Sequence, residues 1–251
     1  MKKALEQTIK EAGQLALSFF SKIDTLKIDN KSPKDLVTEA DISVEKFIKN
    51  RLLSLTPDFG FFGEESGKVS GKKGRWIVDP IDGTHSFVRK QYFWSVSIAL
   101  EIDGILTLGA VYAPRLDDLY VGERGKGAWK NDIPICISTT DSLTEAMVCT
   151  GFACLRSSLP ENNLKRFSRI AEKTRDQRRF GSAALDICFV ADGQVDVFWE
   201  QHLNLFDIAA GVVIAKEAGA TVTDFSGNDL INPEEVLVTN GNMQEQILQL
   251  M

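Results

Sequence analysis

The sequence has no apolar run long enough to cross a bilayer, so a helical membrane span is excluded. Lys2 and Lys3 could begin a signal peptide, but Glu6, Lys10 and Glu11 interrupt the apolar stretch it would need. The expectation is a cytoplasmic protein without a membrane partner. There are only four cysteines, Cys136, Cys149, Cys154 and Cys188, in apolar surroundings and without CxxC spacing. They read as free buried thiols, not as a disulfide frame or a zinc site. The two histidines, His85 and His202, are too few for a Ser–His–Asp scheme, and no Gly-x-Ser-x-Gly elbow occurs. Glycines at 122, 125 and 127 match no phosphate-loop spacing and read as a hairpin turn. There is no basic excess: the net charge is -6, which predicts no nucleic-acid partner and suits a site that gathers cations. Repeats and low-complexity segments are absent.

What is present is ordinary in bulk. At 251 residues, 43% hydrophobic and 25% charged, the chain can bury a core as one large domain or two small ones. The informative stretch is Trp76-Ile77-Val78-Asp79-Pro80-Ile81-Asp82-Gly83-Thr84. Trp76–Val78 reads as the end of a buried strand, and Pro80, which cannot donate to a ladder, as its stop. Asp79 and Asp82 then share a tight turn, and Thr84 can cap a helix towards Phe87. Two acids at a strand end beside free helix amides suit divalent cations and a phosphate.

Along the chain, Leu5, Ile9, Ala12, Ala16, Phe19 and Phe20 predict an amphipathic helix over 2–21. A short strand is expected at 25–28 and a polar loop at 29–33. Asp41 can cap a helix carrying Val44, Glu45, Phe47, Ile48 and Leu52, ended by residues 56–58. A strand at 59–62 leads into Gly63-Glu64-Glu65, and 66–75 reads as a mobile surface loop. Asp103-Gly104 between apolar runs signals a hairpin, and strands near 119–121 and 128–129 continue a meander. A strand at 135–139 marks a boundary between two subdomains, 1–138 and 139–251. Beyond it come a strand at 146–150, a helix at 162–173 and a helix at 183–191 capped by Gly181-Ser182. A strand at 195–200 ends in Glu200, and Asp207 opens a helix at 208–218 that Gly219 terminates. Strands at 220–224 and 236–239 and a helical tail finish the chain.

Asp41, Glu64, Asp79, Asp82, Glu200 and Asp207 thus begin or end elements, where side chains are held rigidly. Carboxylates are the oxygen ligands that magnesium prefers. The pattern predicts metal-assisted chemistry without a covalent nucleophile.

Asp35-Leu36-Val37-Thr38-Glu39-Ala40-Asp41, Gly63-Glu64-Glu65, Asp79-Pro80-Ile81-Asp82-Gly83-Thr84 and Asp207-Ile208-Ala209-Ala210-Gly211 resemble, in order, the motifs of the inositol monophosphatase family. The resemblance covers nearly the whole chain. It implies an α/β (α+β) fold, a layered αβαβα sandwich with an antiparallel N-terminal sheet and a smaller mixed C-terminal sheet. It also implies magnesium-dependent hydrolysis of a small phosphorylated metabolite, lithium inhibition and a homodimer. Carried over, Glu64, Asp79 and the Ile81 carbonyl resemble ligands of a first Mg2+. Asp79, Asp82 and Asp207 resemble those of a second, with a weaker third ion on Glu64. Thr84, supported by Asp41, resembles the group that orients the attacking water together with Glu64, and Glu65 a supporting residue. The Gly83 and Thr84 amides would hold the phosphate; Ala183 and Glu200, with Asp82, match substrate positions.

The chain departs from the inositol-specific pattern at Ser86, Arg89-Lys90 and Phe206, and none of these removes a metal ligand. Arg89 and Lys90 could meet a second anionic group or form a solvated basic turn. Three readings follow: an inositol-type monophosphatase, a sister enzyme for histidinol phosphate, fructose bisphosphate or a bisphosphorylated nucleotide, or an interaction protein with incidental phosphatase activity.

Overall fold

The computed structural model describes residues 1–26, 28–32, 35–229 and 231–251. It opens with α1 (Lys2–Phe20), whose Leu5, Ile9, Ala12 and Ala16 are fully buried at helical spacing. β1 (Ile28–Ser32) pairs antiparallel with β2 (Asp35–Thr38). The strand therefore runs through the stretch expected to be a loop, while Ile23–Thr25 forms a 3-10 turn. Ladder pairing, not burial, makes this strand, because Ile28 and Asp29 are exposed. Pro33, in the expected turn, lies outside the described residues.

Then follow α2 (Glu39–Leu55), β3 (Gly60–Gly63), β4 (Gly67–Val69), β5 (Arg75–Asp82), α3 (Thr84–Val88), β6 (Ser95–Ile102), β7 (Ile105–Ala113), β8 (Asp118–Glu123), β9 (Gly127–Lys130) and β10 (Ile133–Pro134). Among the described residues the strands from β3 onward form one sheet, in the order β10-β9-β8-β7-β6-β5-β3-β4, antiparallel except where β3 meets β5. The β6–β7 hairpin turns on Asp103 and Gly104 at φ of 52° and 75°, as a type I′ turn requires.

The second half comprises β11 (Met147–Thr150), α4 (Ala153–Arg156), α5 (Leu164–Ala171), β12 (Asp176–Arg178), α6 (Ala183–Ala191), β13 (Val197–Gln201), α7 (Leu205–Glu217), β14 (Thr221–Thr223), β15 (Glu235–Thr239) and α8 (Gln244–Leu248). Its sheet, β12-β11-β13-β15-β14, mixes parallel and antiparallel pairs.

Period-two alternation sorts the strands' side chains into three cores. Trp76 and Val78 of β5 pack with Leu5 and Ile9 of α1 and with Val44 and Ile48 of α2. Ile77, between them, faces the opposite core with α6 and α7, which also receives Phe198 of β13 and Val238 of β15. Val197, Trp199 and Leu237 face outward onto Ile170 of α5 and Ile247 of α8. The order is helices, large sheet, helices, small sheet, helices: the αβαβα sandwich.

Two further expected elements differ. Residues 67–69 are a strand because their backbone pairs with β3; as a largely exposed edge strand they carry polar residues and read as loop. Residues 135–139 form no strand: the Ile135 amide bonds to Ala128 and the Ile137 amide to the C-cap of α7 at Ala218, so no ladder partner remains. Of the cysteines, three are buried, but Cys136 is exposed on this segment. α4 and β12, three to four residues long, went unseen.

α7 presses backbone-to-backbone onto the large sheet. A Cβ at Gly109 of β7 would stand 2.5 Å from the Ala210 carbonyl oxygen, and one at Gly122 of β8 would stand 2.7 Å from the Ile214 Cα. Gly109→Ala is therefore expected to push α7 away and cost about 1–3 kcal/mol, read as a lower urea midpoint. An unchanged midpoint would contradict the close approach.

Candidate active site

β5 does not stop at Pro80. It pairs with β6 through Asp79↔Ser97 and again through Asp82↔Ser95, with a register shift between. Pro80 and Ile81 therefore oppose the single residue Val96, which is a β-bulge, and a proline is tolerated there. The bulge has a chemical consequence. In an unbroken strand, residues three apart face opposite sides; one extra residue cancels that alternation. Asp79 and Asp82 thus reach the same side, where Asp207 joins them, the nearest carboxylate oxygens of all three lying within 4.8 Å of one another.

Each acid is aimed by a separate device. Asp79 Oδ1 accepts the Ile81 amide at 3.0 Å. Asp82 Oδ2 lies at the N-terminus of α6 and accepts from Ser182 Oγ at 2.6 Å and the Ala184 amide at 2.8 Å. Ser182 also caps α6, its Oγ accepting the Leu185 amide. Its one hydrogen goes to Asp82, so the Ser95 hydroxyl 3.1 Å away is the donor in that contact. Asp207 is not the first residue of α7: Asn204 is the cap, and Asp207 sits in the third helical position, where its Oδ2 accepts the Asn204 amide at 2.6 Å.

Asp41 uses the same capping-box geometry. Thr38, not Asp41, caps α2, and Asp41 Oδ2 accepts the Thr38 amide and hydroxyl at 2.8 and 2.6 Å. Its Oδ1 lies 3.4 Å from Thr84 Oγ1, across 43 residues of sequence. Thr84 likewise is not a cap but the first residue of α3, after Gly83 at φ 93°. Its hydroxyl also reaches the Ile81 carbonyl at 3.1 Å. Glu64 and Glu65 lie on the turn after β3. The buried Glu45 clamps that turn, accepting the Glu65 and Ser66 amides, both at 2.8 Å. A Cβ at Gly63 would strike Glu45 Oε2 at 2.3 Å, so the clamp needs glycine there.

Burial and crowding together push the acids' pKa values upward. Asp79 is raised well above the carboxylate range by burial, then by Glu64, Asp82 and Asp207. A hydrogen bond between it and Glu64 also raises it, since two carboxyls can bond only by sharing a proton. Asp207 is raised by burial and Asp82, and partly relieved by the Asn204 amide. Asp82 is pushed by burial to about 6, against the bonds from Ser182 and Ala184. Burial also raises Asp41 to about 7 and Glu200 to about 7. Three hard oxygen donors that resist ionising together fit a divalent cation.

The cleft over these acids is lined also by Gly83, Thr84, Ala183, Glu200, Asp186, Arg156 and Arg179. Ala183 and Glu200, which the resemblance matches to substrate positions, thus both line the cleft. Arg89 and Lys90 do not line it: both are exposed, and Lys90 pairs with Asp24 at 2.7 Å. The basic side chains that line the cleft are Arg156, Arg179 and His85. Ser86 is a buried residue of α3, and Phe206 packs edge-to-face on Phe62 at 5.7 Å. Glu45, Ser182 and Asp186 escaped the sequence reading as site residues. Asp186 alone left a signal, being the single charge in the otherwise apolar helix Ala183–Ala191.

The chain matches the inositol monophosphatase family over residues 1–251. It is 36% identical over 246 residues to an inositol-1-monophosphatase of Mesorhizobium japonicum, covering 97% of this chain and 92% of that one. It is 35% identical over 245 residues to the putative Nus factor SuhB of Neisseria meningitidis serogroup B, covering 96% and 94%. Among solved structures, the extragenic suppressor protein suhB from Bartonella henselae superposes with a TM-score of 0.94 at 35% identity, covering 99% of this chain and 97% of that one. The chain therefore belongs to the inositol monophosphatase family of phosphatases.

Proposed function

We propose that this phosphatase hydrolyses the phosphate monoester of a small polyol such as inositol with magnesium as cofactor. The carrying observation is the convergence of the buried Asp79 and Asp82 and the half-buried Asp207 on one point. Glu64, Asp79 and the Ile81 carbonyl would hold one Mg2+, and Asp79, Asp82 and Asp207 a second. A third would bind more weakly at Glu64. When bound, the ions would acidify a water and neutralise charge on the phosphate and leaving oxygen. Lithium inhibition, a homodimer and a cytoplasmic location belong to the same reading. The Nus-factor name carried by relatives is said of those proteins; the intact acid set here favours hydrolysis.

The chain's own residues have three tasks. Thr84 and Asp41 orient the attacking water together with Glu64. An ionised Asp41 accepts the Thr84 proton and turns the lone pairs of Oγ1 towards the cleft. The Ile81 carbonyl competes for that proton at 3.1 Å against 3.4 Å, so withdrawing its lone pair to a cation would favour Asp41. The Gly83 and Thr84 amides bind phosphate oxygens, and Ala183 and Glu200, with Asp82, bind the alcohol part. Glu65 supports the turn, its backbone amide donating a hydrogen bond to Glu45 Oε2.

The raised acids set a sign for stability. A carboxyl whose folded pKa exceeds its unfolded value binds protons more tightly in the native state. Its ionisation destabilises the metal-free fold as pH rises from about 4 through the folded pKa. For Asp82 that window closes near 6, and for Asp79 and Asp207 it lies higher. A cation binds the ionised form, so magnesium should raise the melting temperature over EDTA more at about pH 8 than at about pH 5. An equal or inverted difference would count against the cluster as the binding site.

Asp79→Asn removes one buried charge. It is expected to lower turnover at least about 10²–10³-fold while raising the melting temperature in EDTA by a few degrees. Wild-type-like turnover, or full activity in excess EDTA, would sink the assignment.

Thr84→Ala and Asp41→Asn are each expected to lower kcat by about 10²–10⁴-fold with little change in substrate affinity. Their losses should not multiply, because the two act as one unit. A double variant whose loss equals the product of the singles, or a phosphorylated enzyme trapped in turnover, would overturn the scheme.

A further inference from the structure

Asp186 is buried to 1% exposure, yet it lines the cleft. Its Oδ1 has no hydrogen-bond partner within the protein. Buried polar oxygens are almost always paired, and those that are not call for an explanation in a ligand or water. The position of this one is fixed by the fold. Asp186 lies one helical turn after Ala183, which also lines the cleft, so both belong to the same face of α6. The start of that helix is immobilised by the bonds from Ser182 and Ala184 to Asp82. Asp186 therefore stands at a set distance behind the acid cluster, on the side where the substrate's alcohol part would lie.

Glu200 completes the arrangement. It is 4% exposed, lines the same cleft, and is anchored by the Ala153 amide to its Oε1 at 2.9 Å. A Cβ on Gly151 would fall 2.0 Å from its Oε2, so only glycine leaves room for the carboxyl. Burial, and after it the nearby Glu200, raises the Asp186 carboxyl well above the usual carboxylate range. Arg156 and Arg179 stand exposed at the rim. The floor of the cleft is thus rich in acceptors, while its charge is balanced from outside. Such a floor wants donors without a negative charge of their own, and neighbouring hydroxyl groups on one carbon skeleton supply them.

We propose that Asp186 is a specificity-determining residue which, together with Glu200, accepts hydroxyls of the substrate's alcohol part and selects polyol phosphates over esters that lack hydroxyls. This rests on the phosphatase reading above and adds to it a residue and a basis for discrimination. A site built to bond a hydroxyl rejects analogues without one, because its buried acceptors are then left unpaired.

The test compares inositol 1-phosphate with p-nitrophenyl phosphate, whose ring carries no free hydroxyl. Asp186→Ala is expected to raise KM for inositol 1-phosphate about tenfold or more, with KM for p-nitrophenyl phosphate nearly unchanged. Asp186→Asn keeps an acceptor in place and should retain most of the discrimination. Asp186→Ser stands in if the alanine variant does not fold. Equal losses on both esters would mean a structural role, and unchanged constants would mean no role; either overturns the proposal. A second readout needs no turnover: high-millimolar free inositol should raise the melting temperature of the wild type and not of Asp186→Ala. If the wild type hydrolyses neither ester, the phosphatase reading fails, and this shift alone decides. Its absence in the wild type, or an equal shift in the variant, overturns the assignment of Asp186.

Discussion

The governing constraint is that three carboxylates, Asp79 and Asp82 buried and Asp207 half-buried, occupy one small space. Asp79, Asp82 and Asp207 repel one another, and burial makes each harder to ionise. A fold does not tolerate this unless rigid elements enforce it and an opposing charge is to come. The enforcement is visible in three independent devices: a bulge in β5, the capped start of α6, and the third position of α7. Each is an ordinary way to end or bend an element. Their convergence brings three carboxylate donors to one point, an arrangement that suits a cation.

The same constraint links the layers. Asp82 belongs to the large sheet, but its carboxyl is bound by α6 from the layer beneath, 100 residues away. Asp207 belongs to α7, which the small residues Gly109 and Gly122 admit against the sheet. Thr84 follows the bulge, and Asp41 comes from the helical layer on the other side. The cleft therefore lies where three layers meet, and moving any of them would scatter the acids. The floor of the cleft, with Glu200 and Asp186, is built from the second half of the chain. The first half supplies Glu64, Asp79 and Asp82 to the cleft, and the second Asp207 and most of the floor.

Much of this was legible in the sequence. The acids stood at element ends, the Asp103-Gly104 hairpin was plain, and the four ordered motifs pointed to one family and one layered fold. What escaped has physical reasons. Pro80 reads as a stop because a ladder amide is normally needed; the bulge removes that need, and a bulge has no signature in a single strand. Asp41 and Asp207 read as caps because acids favour that place, but an acid at the third position reaches back to the cap's amide equally well. Thr38 and Asn204 were the actual caps. Edge strand β4 hid because exposure on both faces erases alternation. Glu45 and Asp186 hid because their roles depend on what the fold brings opposite them. At Arg89-Lys90 the sequence left two alternatives open, a second anionic group and a solvated basic turn, because charge in sequence gives no address in space; the structure gives the exposed turn, with Lys90 paired to Asp24.

If the acids hold protons until a cation arrives, binding must expel them. Calorimetric titration of magnesium into the metal-free protein near neutral pH, repeated in buffers of different ionisation enthalpy, counts those protons directly. The account predicts net proton release on binding, diminishing as pH rises, and lost in Asp79→Asn together with most of the affinity. Binding with no proton release across that range would contradict it, because the three carboxylates would then already be ionised side by side.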